Sequence, residues 1–304
     1  MDLYHLKTFV RVAHLQSFTR AAEELALSQS AVSRHIEALE REFGMELFAR
    51  HGRGAGPTVA GARLLQYAES LLRMAQEANR ALAELRDLDQ GQLSIGACTT
   101  AGNYIIGPAV ARFQERYPGI AVSLSIRESK GIQAMVEEGL VDVAMLPEMP
   151  LSTDVITEPC LPDEILPVVA PDHPLARRGG LRPEDLASLR LYIRETGSHT
   201  RTMVEQWLTE HGCSPRDLQE LGSTEAIKQA VAAGGGISFC SRFAVALEQR
   251  SGVLKVLGGP GLPLTRQFVF AFPKGGRRPP AAMAFSAFVR KMRPQLEARA
   301  TVVL

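Results

Sequence analysis

The stretch SFTRAAEELALSQSAVSRHIEALEREF, residues 17–43, predicts two short helices joined by a tight turn. Ser17 is a good helix-capping residue, and the apolar residues after it recur at i, i+3, i+4 and i+7, as on a helix with one buried face. In the second helix the apolar side carries Val32, Ile36, Leu39 and Phe43. The opposite side carries Ser30, Ser33, Arg34, Glu37 and Arg41. The pattern is typical of a helix-turn-helix.

The outward side of the second helix offers hydroxyls and a guanidinium, the groups that bond base edges and phosphates in a DNA major groove. The alternative is an ordinary surface helix, in which Glu37 and Arg41 form an ion pair one turn apart. These residues alone leave both interpretations open.

A basic loop follows, RHGRGAGP at residues 50–57, of the kind that lies along a phosphate backbone or enters a minor groove. Residues 1–61 nevertheless balance seven Lys or Arg against seven Asp or Glu, so this region is not broadly basic. Any DNA-binding potential must therefore be local, at Arg34, Arg50 and Arg53.

The whole segment resembles the winged helix-turn-helix of the LysR-type bacterial transcriptional regulators. The matching stretches are LKTF at 6–9, SFTRAA at 17–22, LSQSAVSRHI at 27–36, LFAR at 47–50 and PTVAG at 57–61. The resemblance implies a DNA-binding domain over residues 1–58 and a double-stranded DNA operator as partner, with RNA polymerase as a further candidate partner. The candidate DNA-contacting residues are Ser28, Gln29, Ser30, Ser33, Arg34, Arg50, Arg53 and Thr58.

A long helix is predicted after the loop, with Thr58 as its cap and residues 59–90 as a linker. Its apolar residues alternate in steps of four and three, which is a heptad seam: Leu64, Ala68, Leu71, Ala75, Ala78, Leu82 and Leu85. Such a seam packs either on its own domain or on a second copy, and we expect the second copy. The resemblance implies dimerisation through this helix, hence a homodimer or homotetramer.

From Leu93 onward, predicted strands and helices alternate, which favours a parallel sheet covered by helices on both faces. Two such sets form two half-domains, one at about 91–161 with 267–304 and the other at about 162–266. The resemblance implies the same α/β architecture for 91–304, similar to periplasmic solute-binding proteins. Within the family, GSTEAIKQAV at 222–231 looks most like the branch that regulates carbon-fixation and sulfur-assimilation operons.

Ligands of open α/β sheets bind at the carboxyl ends of strands, so we expect a crevice between the half-domains. Hydroxyls near helix starts and nearby cations favour a small anionic metabolite as effector. The alternative for each hydroxyl is plain helix capping. The candidate effector-binding residues are Cys98, Thr99, Thr100, Ser129, Lys130, Pro147, Arg194, Ser198, Thr200, Arg201 and Ser223.

Other functions lack their signatures in this sequence. It has no HExxH or GxSxG motif, and its four cysteines have no metal-ligand spacing, so we expect neither an enzyme nor a cofactor or metal. A redox pair of Cys213 and Cys240 stays an open alternative. The first residues lack a signal-peptide layout and no apolar run spans a membrane, which predicts a cytoplasmic protein without membrane contact. A solute-binding protein and a DNA-binding protein without effector are the competing functions.

Overall fold

The computed structural model describes residues 2–49, 56–83, 91–274 and 278–302. By its internal contacts the chain divides into two units, residues 1–82 and residues 83–304. None of the described helices is both long and apolar enough to cross a membrane.

Four helices form the first unit. Their bounds are Leu3–Leu15 (α1), Phe18–Leu25 (α2), Gln29–Phe43 (α3) and Val59–Ala83 (α4). Asp2, Ser17 and Ser28 each cap the following helix with a side-chain oxygen, and the turn between α2 and α3 passes through Ala26 in the left-handed conformation. The helix-turn-helix is therefore built from the residues that predicted it.

The core of the first unit joins all four helices. Its buried side chains include Leu6, Phe9, Val12, Ala21, Ala22, Val32, Ile36, Leu39, Leu47, Phe48 and Ala68. Phe48 and Pro57 form an antiparallel bridge, with the amide of Ala49 bonded to the carbonyl of Gly56 at 3.0 Å. The described ends of the basic loop are thus held together as the stem of a wing.

Part of the heptad seam on α4 packs on its own unit. Ala68 is fully buried in the core of its own unit, and Leu64 and Leu71 pack against that core. Ala68 therefore belongs to the core of its own unit, whereas Leu64 and Leu71 are only partly buried by it. Ala75 is half-buried. The side chains of Ala78 and Leu82, and Leu85 entirely, lie outside the described residues.

The face of α4 that remains uncovered carries other apolar residues. Val59, Tyr67 and Met74 are exposed, and with Arg63 they follow the spacing of one helical side. We call Val59, Arg63, Tyr67 and Met74 the open stripe of α4.

The second unit is built on one mixed sheet. Its strands are Gly91–Cys98 (β1), Ile120–Arg127 (β2), Val143–Pro147 (β3), Val155–Val169 (β4), Arg190–Ile193 (β5), Asp217–Glu220 (β6), Ile237–Ser241 (β7), Lys255–Val256 (β8) and Leu264–Pro273 (β9). The order is β2-β1-β3-β9-β4-β7-β5-β6, and β8 pairs with β4. Neighbouring strands are parallel within each half-domain, but β9 is antiparallel to β3 and β4, and β4 is antiparallel to β7. The expected parallel pairs are present in both half-domains, and β4 and β9, which link the halves, add the antiparallel pairs.

Helices cover the sheet of the second unit. They are Thr99–Ala101 (α5), Gly107–Arg116 (α6), Ser129–Glu137 (α7), Pro174–Arg178 (α8), His199–Glu210 (α9), Thr224–Ala232 (α10), Arg242–Arg250 (α11), Pro280–Lys291 (α12) and Arg293–Arg299 (α13). A π-helical turn, Gly102–Ile106, joins α5 to α6, and a 3-10 helix covers Pro183–Ser188.

Each half-domain has its own core. One large cluster fills the half that contains β1 and β3, around Phe113, Phe268 and Phe285. In the other half, alternate residues of β4 enter two clusters: Ile165 joins one and Leu166 the other. Since successive strand residues point to opposite faces, these clusters lie on the two sides of the sheet. The predicted crevice would lie where the two halves meet.

Candidate DNA-binding surface and ligand crevice

The predicted DNA-contacting residues of α3 lie together at its start. Ser28, Gln29, Ser30 and Arg34 are exposed, and Ser33 is half-exposed. Ser28 Oγ accepts the amide of Ala31 at 3.2 Å and lies 3.0 Å from Ser30 Oγ. Ser28 therefore caps the helix and orients Ser30, which leaves Gln29, Ser33 and Arg34 as the freest groups of this surface.

The orientation of α3 is fixed from behind by α1. His35 Nδ1 lies 2.9 Å from Thr8 Oγ1, and its ring packs on those of His5 and Tyr4. Burial, together with the nearby His5, lowers the pKa of His35, so its imidazole is neutral at pH 7. A neutral ring holding α3 from its inner side leaves Arg34 to present the positive charge outward.

Two other predicted contacts belong to the wing. Arg50 and Arg53 lie outside the described residues. Thr58 Oγ1 donates to the carbonyl of Glu46 at 2.7 Å and accepts the amide of Gly61 at 3.0 Å. The hydroxyl of Thr58 therefore ties the wing to α4 and caps that helix. The ion pair of Glu37 with Arg41, which belonged to the alternative interpretation, is not formed; Arg41 Nε donates instead to the backbone carbonyl of Glu37 at 3.3 Å.

In the second unit, the predicted effector residues gather where the half-domains meet. Cys98 and Pro147 end β1 and β3, Thr99 and Thr100 begin α5, and Ser129 and Lys130 begin α7. From the other half, Arg194 follows β5, Ser198 and Thr200 lie at the start of α9, and Ser223 caps α10.

Three hydrogen bonds join the two sides of this crevice. Arg194 Nη2 donates to Thr99 Oγ1 at 3.2 Å, and the amide of His199 donates to Ser129 Oγ at 3.4 Å. The amide of Lys130 donates to the carbonyl of Gly197 at 3.3 Å. The sequence thus located groups that meet across the crevice, and the structure holds the half-domains close together.

The two predicted arginines are already paired with carboxylates. Arg194 binds Glu195 through Nε at 2.7 Å and Nη2 at 2.6 Å, and donates from Nη1 to Thr224 Oγ1 at 2.6 Å. Arg201 pairs with Glu205 at 2.7 Å and also with Glu220. These partners neutralise both charges, so neither arginine is a free anion site.

The remaining predicted residues differ in how their polar atoms are used. Lys130 is exposed, and its ammonium forms no ion pair within the described residues. Thr100 and Ser198 are buried, and Ser198 makes no side-chain cap. Thr200 Oγ1 accepts from Arg266, and Ser223 Oγ accepts the amide of Ala226 at 3.4 Å, the capping role that was the alternative.

The structure adds two groups that sequence reasoning missed, Arg266 and His199. The Arg266 side chain is 4% exposed and pairs with the fully buried Asp163. His199 Nδ1 is buried without a hydrogen bond, and burial, reinforced by the charge of Arg266, lowers the pKa of His199 to about 4. Arg266 lies inside β9 and not at a strand end, so the strand-end rule gave no signal for it.

The cysteines show no reactive pair. All four are free thiols, and burial raises the pKa of Cys240 to about 11. Cys240 belongs to one core cluster and Cys213 packs on the other, across the sheet. The redox interpretation is therefore disfavoured, because a disulfide would have to pass through the sheet.

Comparison with known proteins identifies the domain family of each unit. Residues 3–62 match the family model for bacterial regulatory helix-turn-helix proteins of the lysR family, and residues 86–293 match the LysR substrate binding domain. A RuBisCO operon transcriptional regulator of Allochromatium vinosum is 34% identical over 289 residues, covering 95% of each chain.

Two solved structures extend the comparison to the fold. A full-length OxyR variant from Pseudomonas aeruginosa has a TM-score of 0.68 at 23% identity, with 95% of each chain covered. The regulatory domain of CcmR from Synechocystis, in complex with 2-PG, has a TM-score of 0.61 at 29% identity and covers 67% of this chain and 98% of its own. With both family models matched in order and a relative similar along nearly its whole length, the chain belongs to the LysR family of bacterial transcriptional regulators.

Proposed function

We propose that this regulator binds its operator through α3 and the wing, and that a small anionic metabolite in the crevice adjusts that binding. The observation that carries the proposal is the set of hydrogen bonds that joins the two half-domains at the predicted effector residues. Hydroxyls of Thr99 and Ser129 and the backbone of Lys130 bond to the other half-domain. A ligand that enters must replace these bonds, so its binding changes how the half-domains meet.

An anion suits this crevice better than a neutral or cationic ligand. Arg266 and Lys130 supply positive charge, while Thr100 and Ser198 offer buried hydroxyls. The likeness to the CcmR regulatory domain, which holds 2-PG, supports a small ligand at this type of domain. The likeness to a RuBisCO operon regulator supports a target operon of carbon fixation.

The competing functions fit less well. A free solute-binding protein would have no use for residues 3–62, which match a DNA-binding family model. We propose no catalytic activity and no resident cofactor, and we place the protein in the cytoplasm, where its operator is. We infer a homodimer formed through α4, and a homotetramer if the second units also pair.

A gel shift on the DNA upstream of the protein's own gene tests this function. The pure full chain should bind that fragment more tightly than a random fragment of equal length. Addition of 2-PG, organic acids or sugar phosphates should change its affinity or mobility. Because coupling is reciprocal, an active anion must also bind differently to the DNA-bound protein. Equal binding to both fragments would contradict the proposed sequence-specific regulator. Binding that no added anion changes would contradict the proposed anionic effector.

A further inference from the structure

Asp163 and Arg266 form a buried ion pair at the junction of the two half-domains. They are direct register partners on β4 and β9, which we call the hinge strands because they run through both halves of the sheet. The pairing of the hinge strands is irregular between Pro159 and Leu161, shortly before Asp163. The pair thus lies where a change in the angle between the halves would be felt.

The guanidinium of Arg266 is only partly satisfied by Asp163. Nε and Nη2 both lie 2.8 Å from the same carboxylate oxygen, Oδ2, while Oδ1 accepts from Ser241 at 2.7 Å. The Nη2 contact is close enough for an ion pair but lacks hydrogen-bond geometry, so Nη2 is buried without an acceptor. Arginine binds carboxylates and phosphates best as a two-pronged fork, and this pair does not use the fork.

Arg266 is also directed towards the crevice. Nη1 donates to Thr200 Oγ1 at 3.1 Å, at the start of α9. Its charge acts on His199 of one half-domain, and on Cys98 at the end of β1 in the other, where it opposes the rise in the thiol pKa that burial causes. Arg266 is therefore near both walls of the crevice, and it faces the predicted effector residues.

The other cations of the crevice are less suited than Arg266 to bind an incoming anion. Arg194 is held by both oxygens of Glu195, and Lys130 is exposed at the rim. Arg266 combines a buried charge with an unused donor, which is the condition for a strong interaction with an incoming anion.

We propose that Arg266 anchors the anionic group of the crevice ligand, and that this group takes the place of Asp163 beside the guanidinium. This inference rests on the proposed function and names how its ligand is sensed. A carboxylate or phosphate would engage the unused Nη2 of Arg266 together with Nε, which Asp163 now occupies. Asp163 would keep Ser241 but lose its counter-charge, and a buried carboxylate without a partner is unstable. The hinge strands must then shift to rehydrate or re-pair it, which turns occupancy into a change between the half-domains.

The test uses the full chain, calorimetry with inorganic phosphate and with 2-PG, and four variants. Asp163→Asn removes the competing charge and should bind the anion about tenfold more tightly. Arg266→Gln with Asp163→Asn, which leaves no buried charge unpaired, should lose that gain and bind about tenfold or more weakly than the wild type. Arg266→Gln alone should also bind weakly. Lys291→Ala, which removes an equal charge from an exposed residue of α12 that is not among the predicted effector residues, should change the affinity about twofold at most.

Tighter binding by Asp163→Asn and weaker binding by the Arg266 variants are effects of opposite sign. They separate sensing from damage to the fold, since a disrupted site would weaken binding in every variant. Weaker binding by Asp163→Asn, or binding by the double variant equal to that of Asp163→Asn, overturns the inference while leaving the proposed effector intact. Absence of binding to both anions in the wild type and in Asp163→Asn overturns the inference and the anionic effector together. A failed gel shift with intact anion binding overturns only the DNA-binding function.

Discussion

Arg34 stands apart from the arginines of the crevice because no carboxylate among the described residues holds it. It is exposed on the side of α3 opposite Val32, Ile36 and Leu39, which are buried. An arginine bound to a guanine edge needs both ends of its fork free, and an ion pair within the domain would occupy them. Because His35 orients α3 against α1, Arg34 is left with its guanidinium free of an ion pair in the described part of the chain.

We expect Arg34→Ala to remove sequence discrimination while preserving the fold. A bidentate contact to guanine is worth about 1–3 kcal/mol of discrimination. The preference of the protein for its operator over competitor DNA should therefore fall about tenfold or more. A competition gel shift measures this. Arg41→Ala is the matched control, since it removes the same charge from the same helix. This variant should weaken binding to all DNA sequences alike. Unchanged specificity in the Arg34 variant would contradict its assignment.

Residue type and spacing were sufficient to locate Arg34, but they could not reveal which arginines are neutralised. Arg201, on α9, pairs with Glu220, on β6. Arg266 is held by Asp163, a hundred residues earlier in the chain. Such partners are set by the sheet register and not by local sequence. The capping hydroxyls of Ser28 and Thr58 could be foreseen, because a cap is decided by its immediate neighbours.

At the scale of elements, the apolar pattern of α4 predicts where the helix and its apolar side lie. It does not decide whether that side packs on its own domain or on a second copy. A seam in steps of four and three fits a second helix of another chain and a groove of its own domain equally well. Ala68 is small enough to let α4 approach the core of the first unit closely, and that core takes it. The open stripe, Val59, Arg63, Tyr67 and Met74, is left for the second copy.

We expect Tyr67→Glu to weaken self-association and operator binding without unfolding the first unit. Tyr67 is 57% exposed, so a charge there meets water in the monomer but apolar surface in a dimer. Analytical ultracentrifugation measures the assembly, and thermal unfolding measures the fold. Leu71→Glu should instead lower stability by about 2 kcal/mol or more, because Leu71 packs on the core. An unchanged assembly in Tyr67→Glu would show that the stripe stays exposed.

β4 was the element that the sequence predicted least well. β4 covers Val155–Val169 in one run, which makes it the longest of the described strands. Pro159 and Pro162 argue against a strand because proline lacks the amide that a ladder needs. The structure accommodates Pro159 at the irregularity in the pairing with β9. Sheet pairing over a distance therefore overrode a local signal, and the same long strand converts two parallel sets into one mixed sheet.

At the scale of the whole second unit, a hydrogen bond from a partly exposed tyrosine also links the half-domains. Tyr104, on the π-helical turn Gly102–Ile106, donates its hydroxyl to Glu225 on α10 and lies under the ammonium of Lys228, 5.2 Å from the ring centre. Lys228 in turn pairs with Glu248 at 2.6 Å. Burial raises the pKa of Tyr104, reinforced by its bond to Glu225, so the hydroxyl stays protonated and donates throughout the physiological range.

The same link makes a contribution that depends on acid. Burial alone would raise the pKa of Glu225, but the bond from Tyr104 and the charge of Lys228 outweigh it and lower the pKa below 4.5. A carboxyl group whose pKa is lowered by folding stabilises the fold above its unfolded pKa. That contribution is therefore full near neutral pH and is lost as the pH falls through the lowered value.

We expect Tyr104→Phe to loosen the two half-domains and to lower the stability of the second unit by about 0.5–1.5 kcal/mol at pH 7, the usual worth of one hydrogen bond. The loss should shrink as the pH falls through the lowered pKa of Glu225, because the carboxyl group then becomes protonated and the charge-assisted bond disappears from the wild type. Thermal unfolding across pH measures this, and hydrogen exchange of α10 reports the loosening. Tyr117→Phe is the matched control, because the Tyr117 ring packs on Phe113 while its hydroxyl makes no hydrogen bond within the described residues. Equal, pH-independent losses in both variants would mean that the ring, and not the bond across the half-domains, supplies the stability.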